Sequence, residues 1–468
     1  MFKNYVYDYI KNQNIFIEKC KKLLNLRFEN KNFSFFVRSY GCQGNVSEGE
    51  KIEGILKELG FEKAYDEKTA NLIVLNSCAI REKAQNKVYS HLGNLLNLKL
   101  QDRKKIICVC GCMVQQNIVK NKLKEKFKKI DLIFGPHVIY KIPELLYNLL
   151  IKNKQYVDVS EKEEIVEKIP VLRNNKIKAL VPISYGCNNF CSYCIVPYVK
   201  GRERSRDFEV ILKEVKSLVD VGYKEITLLG QNVNSYGLDL GIKNGFANLL
   251  LKINEIKGEF VVRFMTSHPK DCTKDLVDVI AKCSKVCKHF HLPVQSGCDE
   301  ILKNMNRKYD IKKYLNIIGY VREKIPNATF STDVIVGFPG ETYENFKETL
   351  NLIKKVQYIY IFNFIFSKRP GTKAFELKDP VSKKEKTKWL EELIKEQNEI
   401  SFNLNKSCVG KEQNVLFTDF FDKDENLMVG RNDGSILVVC EKDSSKIGKF
   451  SKVKIINAHR TMLEGKLI

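Results

Sequence analysis

What this chain of 468 residues has little of excludes several classes of protein. No apolar run approaches the length that crosses a bilayer, so a membrane span is not expected. The opening stretch, MFKNYVYDYIKNQN, has no cationic segment followed by an apolar core. It does not read as a secretory signal, and a cytoplasmic location with no membrane partner follows by default. Internal repeats and low-complexity tracts are absent. Acidic residues are outnumbered, 56 Asp+Glu against 79 Lys+Arg, leaving a formal charge of +23. That balance favours a polyanionic partner, most simply nucleic acid. Drift toward Lys, Asn and Ile codons would also add surface lysines, and charge alone does not separate the two.

Cysteine, by contrast, is abundant. The fifteen cysteines are an odd number and several sit in strand-like or helical runs. Disulfides explain them poorly, and metal or cluster ligation explains them better. Three fall in one tight loop, Cys187, Cys191 and Cys194, within VPISYGCNNFCSYCIVPY. Neither a histidine nor a fourth cysteine follows at zinc-finger spacing. Three thiolates so placed can hold three irons of a [4Fe–4S] cluster, leaving the fourth iron open to a small molecule. Cys20, Cys272, Cys283, Cys287, Cys298, Cys408 and Cys440 have no ligand spacing and read as small buried hydrophobes.

The pattern along the chain is α/β. Residues 1–32 form a polar, partly helical lead-in. Over 33–151, the strand-like runs FSFFVRSY, NLIVLN, IICVC and DLIFG alternate with helical stretches such as SEGEKIEGILKEL. Such alternation predicts a doubly wound parallel sheet covered on both faces. Just past three of these strands stand Cys42, Cys78 and Cys112. Ligands gather at the carboxyl edge of such sheets, so the three loops can converge on a second three-cysteine site. Cys108 and Cys110 alternate on a strand and read as sheet packing, although spacing leaves Cys110 a rival to Cys112. Residues 152–172 are charged and loosely patterned, a linker or connecting strand.

Over 173–402 a second series begins: KALVPIS, KEITLLG, FVVRFMTS, KHFHLPV, TFSTDVIVGF and YIYIFNF, with helices between. Six units predict a partial (β/α)6 barrel with its chemistry at the strand C-termini, where the cysteine triplet lies. A long helix, roughly Ser382–Leu404, closes this domain. Residues 405–468 change to short strands separated by Gly, Asp, Asn and Lys turns, a small antiparallel β-barrel.

Other segments carry weaker signals. Gly337, Gly340 and Glu341 lie where a strand opens into a helix, a turn whose N–H groups can meet a ligand. Arg202, Arg204 and Arg206 suit a phosphate or carboxylate, or form a solvated basic loop. His268, His289 and His291 read as hydrogen-bonded rather than ligating. Gln231–Asn234 and Gln295–Gly297 are polar loops at the expected mouth.

Taken in order, SYGCQGN, LNSCAIREKAQNKVY, GCMVQQ, SYGCNNFCSYCIVPYVKGRERSR, LLGQNVNSYG, FMTSHP, HLPVQSG, DVIVGFPGET and RPGTKA resemble the methylthiotransferases, a branch of the radical S-adenosylmethionine (SAM) enzymes. The likeness covers nearly everything after residue 30. It implies an auxiliary [4Fe–4S] cluster on Cys42, Cys78 and Cys112. It also implies a SAM-chelating [4Fe–4S] cluster on Cys187, Cys191 and Cys194, with SAM near Gly337, Gly340, Glu341 and Gln295. The tail resembles the TRAM domain, a small RNA-binding barrel.

The run Asn76–Ala84 resembles the tRNA branch that methylthiolates C2 of N6-isopentenyl(dimethylallyl)adenosine at position 37. Sister enzymes act on threonylcarbamoyladenosine in tRNA or on a ribosomal-protein aspartate. A non-enzymatic iron–sulfur RNA-binding regulator is the alternative of another class. The resemblance implies that one SAM methylates a sulfur of the auxiliary cluster and a second yields a deoxyadenosyl radical that activates the adenine C–H bond. Implied partners are tRNA carrying isopentenyladenosine, an electron donor such as flavodoxin or ferredoxin, and a sulfur or cluster supplier; a monomer is expected. Gly44 departs from the family, which commonly has a larger residue such as Met there.

Overall fold

The computed structural model describes residues 6–29, 32–80, 82–160 and 164–468. Arg81 of the Asn76–Ala84 run and residues 161–163 of the connecting stretch lie outside the described residues. The chain forms two compact units. The first holds residues 1–174 together with 185–188 and 195–204, and the second holds the remainder.

In the first unit, β1 (Ser34–Tyr40), β2 (Glu62–Lys63), β3 (Leu72–Ser77), β4 (Ile106–Cys110), β5 (Leu132–Phe134) and β6 (Tyr156–Asp158) make one sheet. Its order is β2-β1-β3-β4-β5-β6 and every pairing is parallel. Strands β3 and β4 are buried at every position, as continuous apolar runs in a two-sided sheet should be. One core on this sheet takes Phe35, Leu72, Val74 and Cys108, and a second takes Ile73, Leu75, Ile107 and Val109. That alternation is the pleat read out directly. The lead-in contributes a helix, Tyr9–Arg27, whose Ile17, Cys20 and Leu24 join the first core. The stretch 152–172 supplies edge strand β6 and a short strand, Ile165–Glu167, parallel to Val6–Asp8.

The second unit carries β7 (Lys178–Pro182), β8 (Glu225–Leu229), β9 (Val261–Phe264), β10 (His289–His291), β11 (Thr329–Val336) and β12 (Tyr360–Ile365). They form two three-stranded parallel sheets, β9-β8-β7 and β10-β11-β12, with an isolated Val262–Val286 bridge just before β10. One apolar cluster, including Val181, Ile226, Val262, Phe290, Val334 and Ile353, covers the helix-facing side of both.

The intervening helices start where side chains can satisfy orphan N–H groups. Asp207 accepts from Val210 N, Thr273 from Leu276 N and Asp310 from Lys313 N. Thr342 and Ser382 form full capping boxes with Asn345 and Glu385. The last helix, Lys383–Lys406, is tied to the strand region by Gln397 and Ser401, which donate to the carbonyls of Tyr358 and Ile359.

The tail, β13 (Glu412–Phe421), β14 (Asp424–Asn432), β15 (Leu437–Glu441), β16 (Phe450–Ala458) and β17 (Met462–Leu467), closes in the order β13-β14-β15-β17-β16. The β15–β17 pair is parallel, so the barrel is not wholly antiparallel as expected. Closure requires it, because β16 lies between the two in sequence but beside β17 and β13 in the barrel. The β14–β15 turn docks on the six-stranded domain. Arg263 donates to Ser435 Oγ (2.8 Å) and Asn432 O (3.1 Å) while pairing with Glu225 (2.7 Å), and Thr329 Oγ1 donates to Gly434 O (2.7 Å).

Candidate active site

The three strand-end cysteines of the first unit do come together. Adjacent strands β1, β3 and β4 point the same way, so Cys42, Cys78 and Cys112 leave one sheet edge side by side. Cys78 N donates to Tyr40 O at 3.0 Å, locking two of the three exits. The exits are tight enough to require glycine at two positions. A Cβ on Gly41 (φ +140°) would come 2.4 Å from Cys78 Cβ, and one on Gly111 (φ +95°) 2.3 Å from Asn76 Oδ1. Gly44 differs: a Cβ there would sit 3.5 Å from Cys42 Sγ, an ordinary contact. The position that departs from the family pattern therefore has room for a side chain. Cys110, the rival on spacing, is fully buried on β4 within the helix-packed core, while Cys112 packs with Ala79, Ile195 and Val199.

The electrostatics divide the three thiols at this edge, lowering one and raising two. A hydrogen bond from Cys78 brings the Cys42 thiol down to about 6, against the cost of burial. The same bond, with burial, pushes Cys78 up. Burial raises Cys112 to about 12, opposed by the Lys200 ammonium. Lys200 is itself held charged: burial disfavours its ammonium, but Cys112 and its ion-pair partner Glu48 outweigh that and raise it. A buried cation beside Cys112 and Cys42 suits an anionic cluster. The donor set supplies one cysteine to each of three irons, so the residues fit a [4Fe–4S] group with one open iron. Among the described residues, no group of three His, Cys, Asp or Glu converges tightly enough to hold a single metal ion. Ligands of a cubane each take a different iron and so stand further apart.

The triplet loop follows β7, as expected. Cys191 is buried, and Cys187 and Cys194 are half-buried. Cys194 N donates to Cys191 O at 2.9 Å, and Phe190 adopts a left-handed conformation (φ +47°). Much of the loop is held from a distant segment. Asn306 Nδ2 donates to Phe190 O (2.8 Å), Ser192 N donates to Met305 O (3.0 Å), and the buried Arg307 reaches Cys191 Sγ at 3.5 Å. Arg307 is anchored in turn on Pro293 O (2.6 Å) and Tyr309 Oη (2.9 Å). No sequence signal singled out Arg307, Lys200 or Glu48.

Glu341 turns its carboxylate back on the N–H groups of Gly337 and Phe338 and is 2% exposed. Burial raises its carboxyl to about 7. It braces the glycine turn rather than facing outward. Gly337 (φ +72°) is required because Lys386 crosses where its Cβ would be. Gln295 (φ +73°) bridges to β11, its N donating to Asp333 O and its O accepting from Ile335 N, each at 2.9 Å. Arg204 and Arg206 are buried and bonded to protein carbonyls and, for Arg206, Glu214, so neither belongs to a solvated loop. Asn232 donates to Asp271 at 2.6 Å. His268 accepts from Lys270 N, and burial, aided by Arg307, drops it to about 2. Burial keeps His289 neutral, with its nitrogens on Thr329 and Ser331.

Three family models match the chain: the Uncharacterized protein family UPF0004 over residues 34–135, the Radical SAM superfamily over 181–353 and the TRAM domain over 406–468. Proteins named tRNA-2-methylthio-N(6)-dimethylallyladenosine synthase are similar along nearly their whole length. That of Clostridium botulinum (strain Langeland) is 47% identical, covering 96% of this chain and all of that protein. That of Clostridium tetani is 48% identical over 93% of this chain and 97% of its own. Among solved structures, the radical S-adenosylmethionine methyltransferase TsrM from Kitasatospora setae aligns with a TM-score of 0.55 at 12% identity, over 82% of this chain and 78% of its own. That likeness is one of fold.

Proposed function

The chain belongs to the tRNA-2-methylthio-N6-dimethylallyladenosine synthases of the radical SAM superfamily, and from that premise we infer how its own residues serve the reaction. The protein is a tRNA methylthiotransferase. It places a methylthio group on C2 of N6-dimethylallyladenosine beside the anticodon, at position 37. The observation that carries this is full-length identity to synthases of that name, joined to two separate cysteine trios in one chain.

SAM and two [4Fe–4S] clusters, when bound, supply the sulfur, the methyl group and the one-electron chemistry that an unactivated C–H bond demands. Cys42, Cys78 and Cys112 would hold the auxiliary cluster, with Lys200 as fixed countercharge and Glu48 keeping that ammonium in place. Cys187, Cys191 and Cys194 would hold the SAM-chelating cluster, with Arg307 fixing Cys191. Gly337, Gly340 and Gln295 form the rim where SAM would lie, and Glu341 shapes it.

In this reading residues 33–151 are the methylthiotransferase domain, 173–402 the radical core and 405–468 the RNA-binding barrel. The enzyme works as a monomer in the cytoplasm, fed by a flavodoxin- or ferredoxin-type donor and by a separate sulfur supplier. No helix of the described residues is long and apolar enough to cross a membrane.

The test is nucleoside mass spectrometry on isopentenylated tRNA, incubated anaerobically with cluster-reconstituted protein, SAM, sulfide and a reductant. Methylthio-isopentenyladenosine is expected. Deoxyadenosine without that nucleoside would move the substrate to a sister enzyme's, and absence of both with intact clusters would leave an RNA-binding regulator.

A further inference from the structure

Strands β10, β11 and β12 turn one face to the helix-packed core and the other to the inside of the half-barrel. Val334, Val336 and Ile361 lie on the core side. By the strand period of two, Asp333, Ile335, Phe362 and Phe364 share the inner side. The register sets them in rows, Asp333 beside Phe362 and Ile335 beside Phe364.

Below them the wall is internally satisfied. Ser331 Oγ bonds both His289 Nε2 and His291 Nδ1 at 2.9 Å, and Tyr360 Oη bonds His289 Nε2 at 3.1 Å. At the row of Asp333 that satisfaction ends. The Asp333 carboxylate has no hydrogen-bond partner among the described residues; its nearest cation-capable neighbour is His291 Nε2 at 3.6 Å. Phe362 and Phe364 are 39% and 43% exposed despite lying on a barrel wall. Phe362 is fixed edge-on by His291 and Tyr360 at 5.8 and 5.3 Å, which leaves ring surface uncovered. One row above Asp333, Ile335 packs on the same apolar cluster as Tyr193 of the cysteine loop. Asp333 and Phe362 therefore stand about 7 Å, one strand pleat, below that loop's packing level, and Phe364 stands in the row level with it.

We propose that Asp333, Phe362 and Phe364 form the subsite that receives the substrate's dimethylallyladenine, Asp333 accepting its N6–H and the two phenylalanines covering ring and dimethylallyl group. This rests on the function stated above and names the residues that select its substrate. The chemistry is complementary. N6 of this base is a secondary amine with one N–H to give, and Asp333 offers one free acceptor. The dimethylallyl group needs an apolar cover, and stacking on aromatic rings suits a base drawn out of its strand. Unmodified adenosine would satisfy Asp333 but leave the rings wet. The glycine turn at Gly337 and Gly340 follows the end of β11, past the row of Asp333.

The experiment uses the full-length, cluster-reconstituted enzyme and fluorescent anticodon stem-loops with and without the dimethylallyl group. Wild type should bind the modified RNA more tightly. Phe362→Ala should erase most of that preference, with about a tenfold loss of affinity for the modified RNA, the size of one lost base stack. Phe362→Leu should restore part of it. Asp333→Ala, which removes the acceptor, should raise the ratio of deoxyadenosine to methylthio product, because a loosely held base is missed by the radical. An undiminished preference in Phe362→Ala with cluster content intact would overturn the proposal. So would a raised KM for SAM with RNA affinity unchanged, which would give the wall to SAM instead. A wild type that makes no methylthio nucleoside from the modified RNA would remove the underlying function, an outcome distinct from either.

Discussion

Cys42 and Cys191 each sit beside a buried cation held by other groups, Lys200 and Arg307, and this separates their roles experimentally. Cys191→Ala should abolish deoxyadenosine formation while the auxiliary cluster stays measurable by iron content and absorbance. Cys78→Ala should do the reverse: SAM cleavage persists, and methylthio product disappears. Product from Cys78→Ala would unseat the auxiliary site. Glu341 offers a pH test. Its carboxyl is raised from 4.5 to about 7, chiefly by burial. The folded state therefore keeps a proton the unfolded chain gives up, and the associated stability, present below pH 4.5, is lost as pH climbs to about 7. Glu341→Gln lacks that titration. Between pH 5 and pH 8 it should gain stability relative to wild type, by up to about 3 kcal/mol, in thermal scans. A constant difference across that range would refute it. The triplet Cys187, Cys191 and Cys194 was legible in the sequence because its spacing is local; Cys42, Cys78 and Cys112 were legible only as strand-end candidates, with Cys110 a rival. Lys200 and Glu48 were not, since two side chains separated by 152 positions look like any other surface pair until folding joins them.

At the scale of elements, the helix Gln43–Glu58 begins earlier than the Ser47 start its pattern suggests. Its N-cap is Cys42, whose side chain makes no capping bond, so the usual Ser, Thr, Asp or Asn marker is missing. Local rule and function conflict there, and the cysteine's position wins. Gly44, in the first turn, has room for a Cβ. Gly44→Ala should stabilise the protein by roughly 0.5 kcal/mol and preserve cluster content. Gly41→Ala, three residues away, should lose the auxiliary cluster, because its Cβ collides with Cys78. Equal cluster loading in both variants would contradict the close-packed exit. The helix capped by Ser382, by contrast, runs Lys383–Lys406, starting where its pattern places it.

For the whole molecule, the excess of positive charge acquires a surface in the closed barrel. Lys452 and Lys454 are exposed on β16, alternating with buried Val453 and Ile455. Lys452→Glu and Lys454→Glu should weaken tRNA binding and flatten its dependence on log salt by about 0.7–0.9 for each phosphate no longer neutralised. An unchanged slope would place the RNA elsewhere. The barrel is also bound to the catalytic domain through Arg263 and Thr329, which tie its Asn432–Ser435 turn to β9 and to the start of β11.

The sequence by itself carried the α/β alternation, the tight Cys187, Cys191 and Cys194 spacing and the basic balance, because periodicity, spacing and composition are properties of neighbours along the chain; Cys42, Cys78 and Cys112 stood there as strand-end candidates, with Cys110 a rival until the resemblance was drawn. Tertiary structure alone decided which cations face the thiols, that Glu341 braces a turn, that Arg204 and Arg206 are buried, and that β15 and β17 run parallel. It also decided that Asp333 faces a half-barrel wall of uncovered phenylalanines. Each of these depends on groups far apart in sequence, whose identity carries no signal until packing sets them within hydrogen-bonding or contact distance.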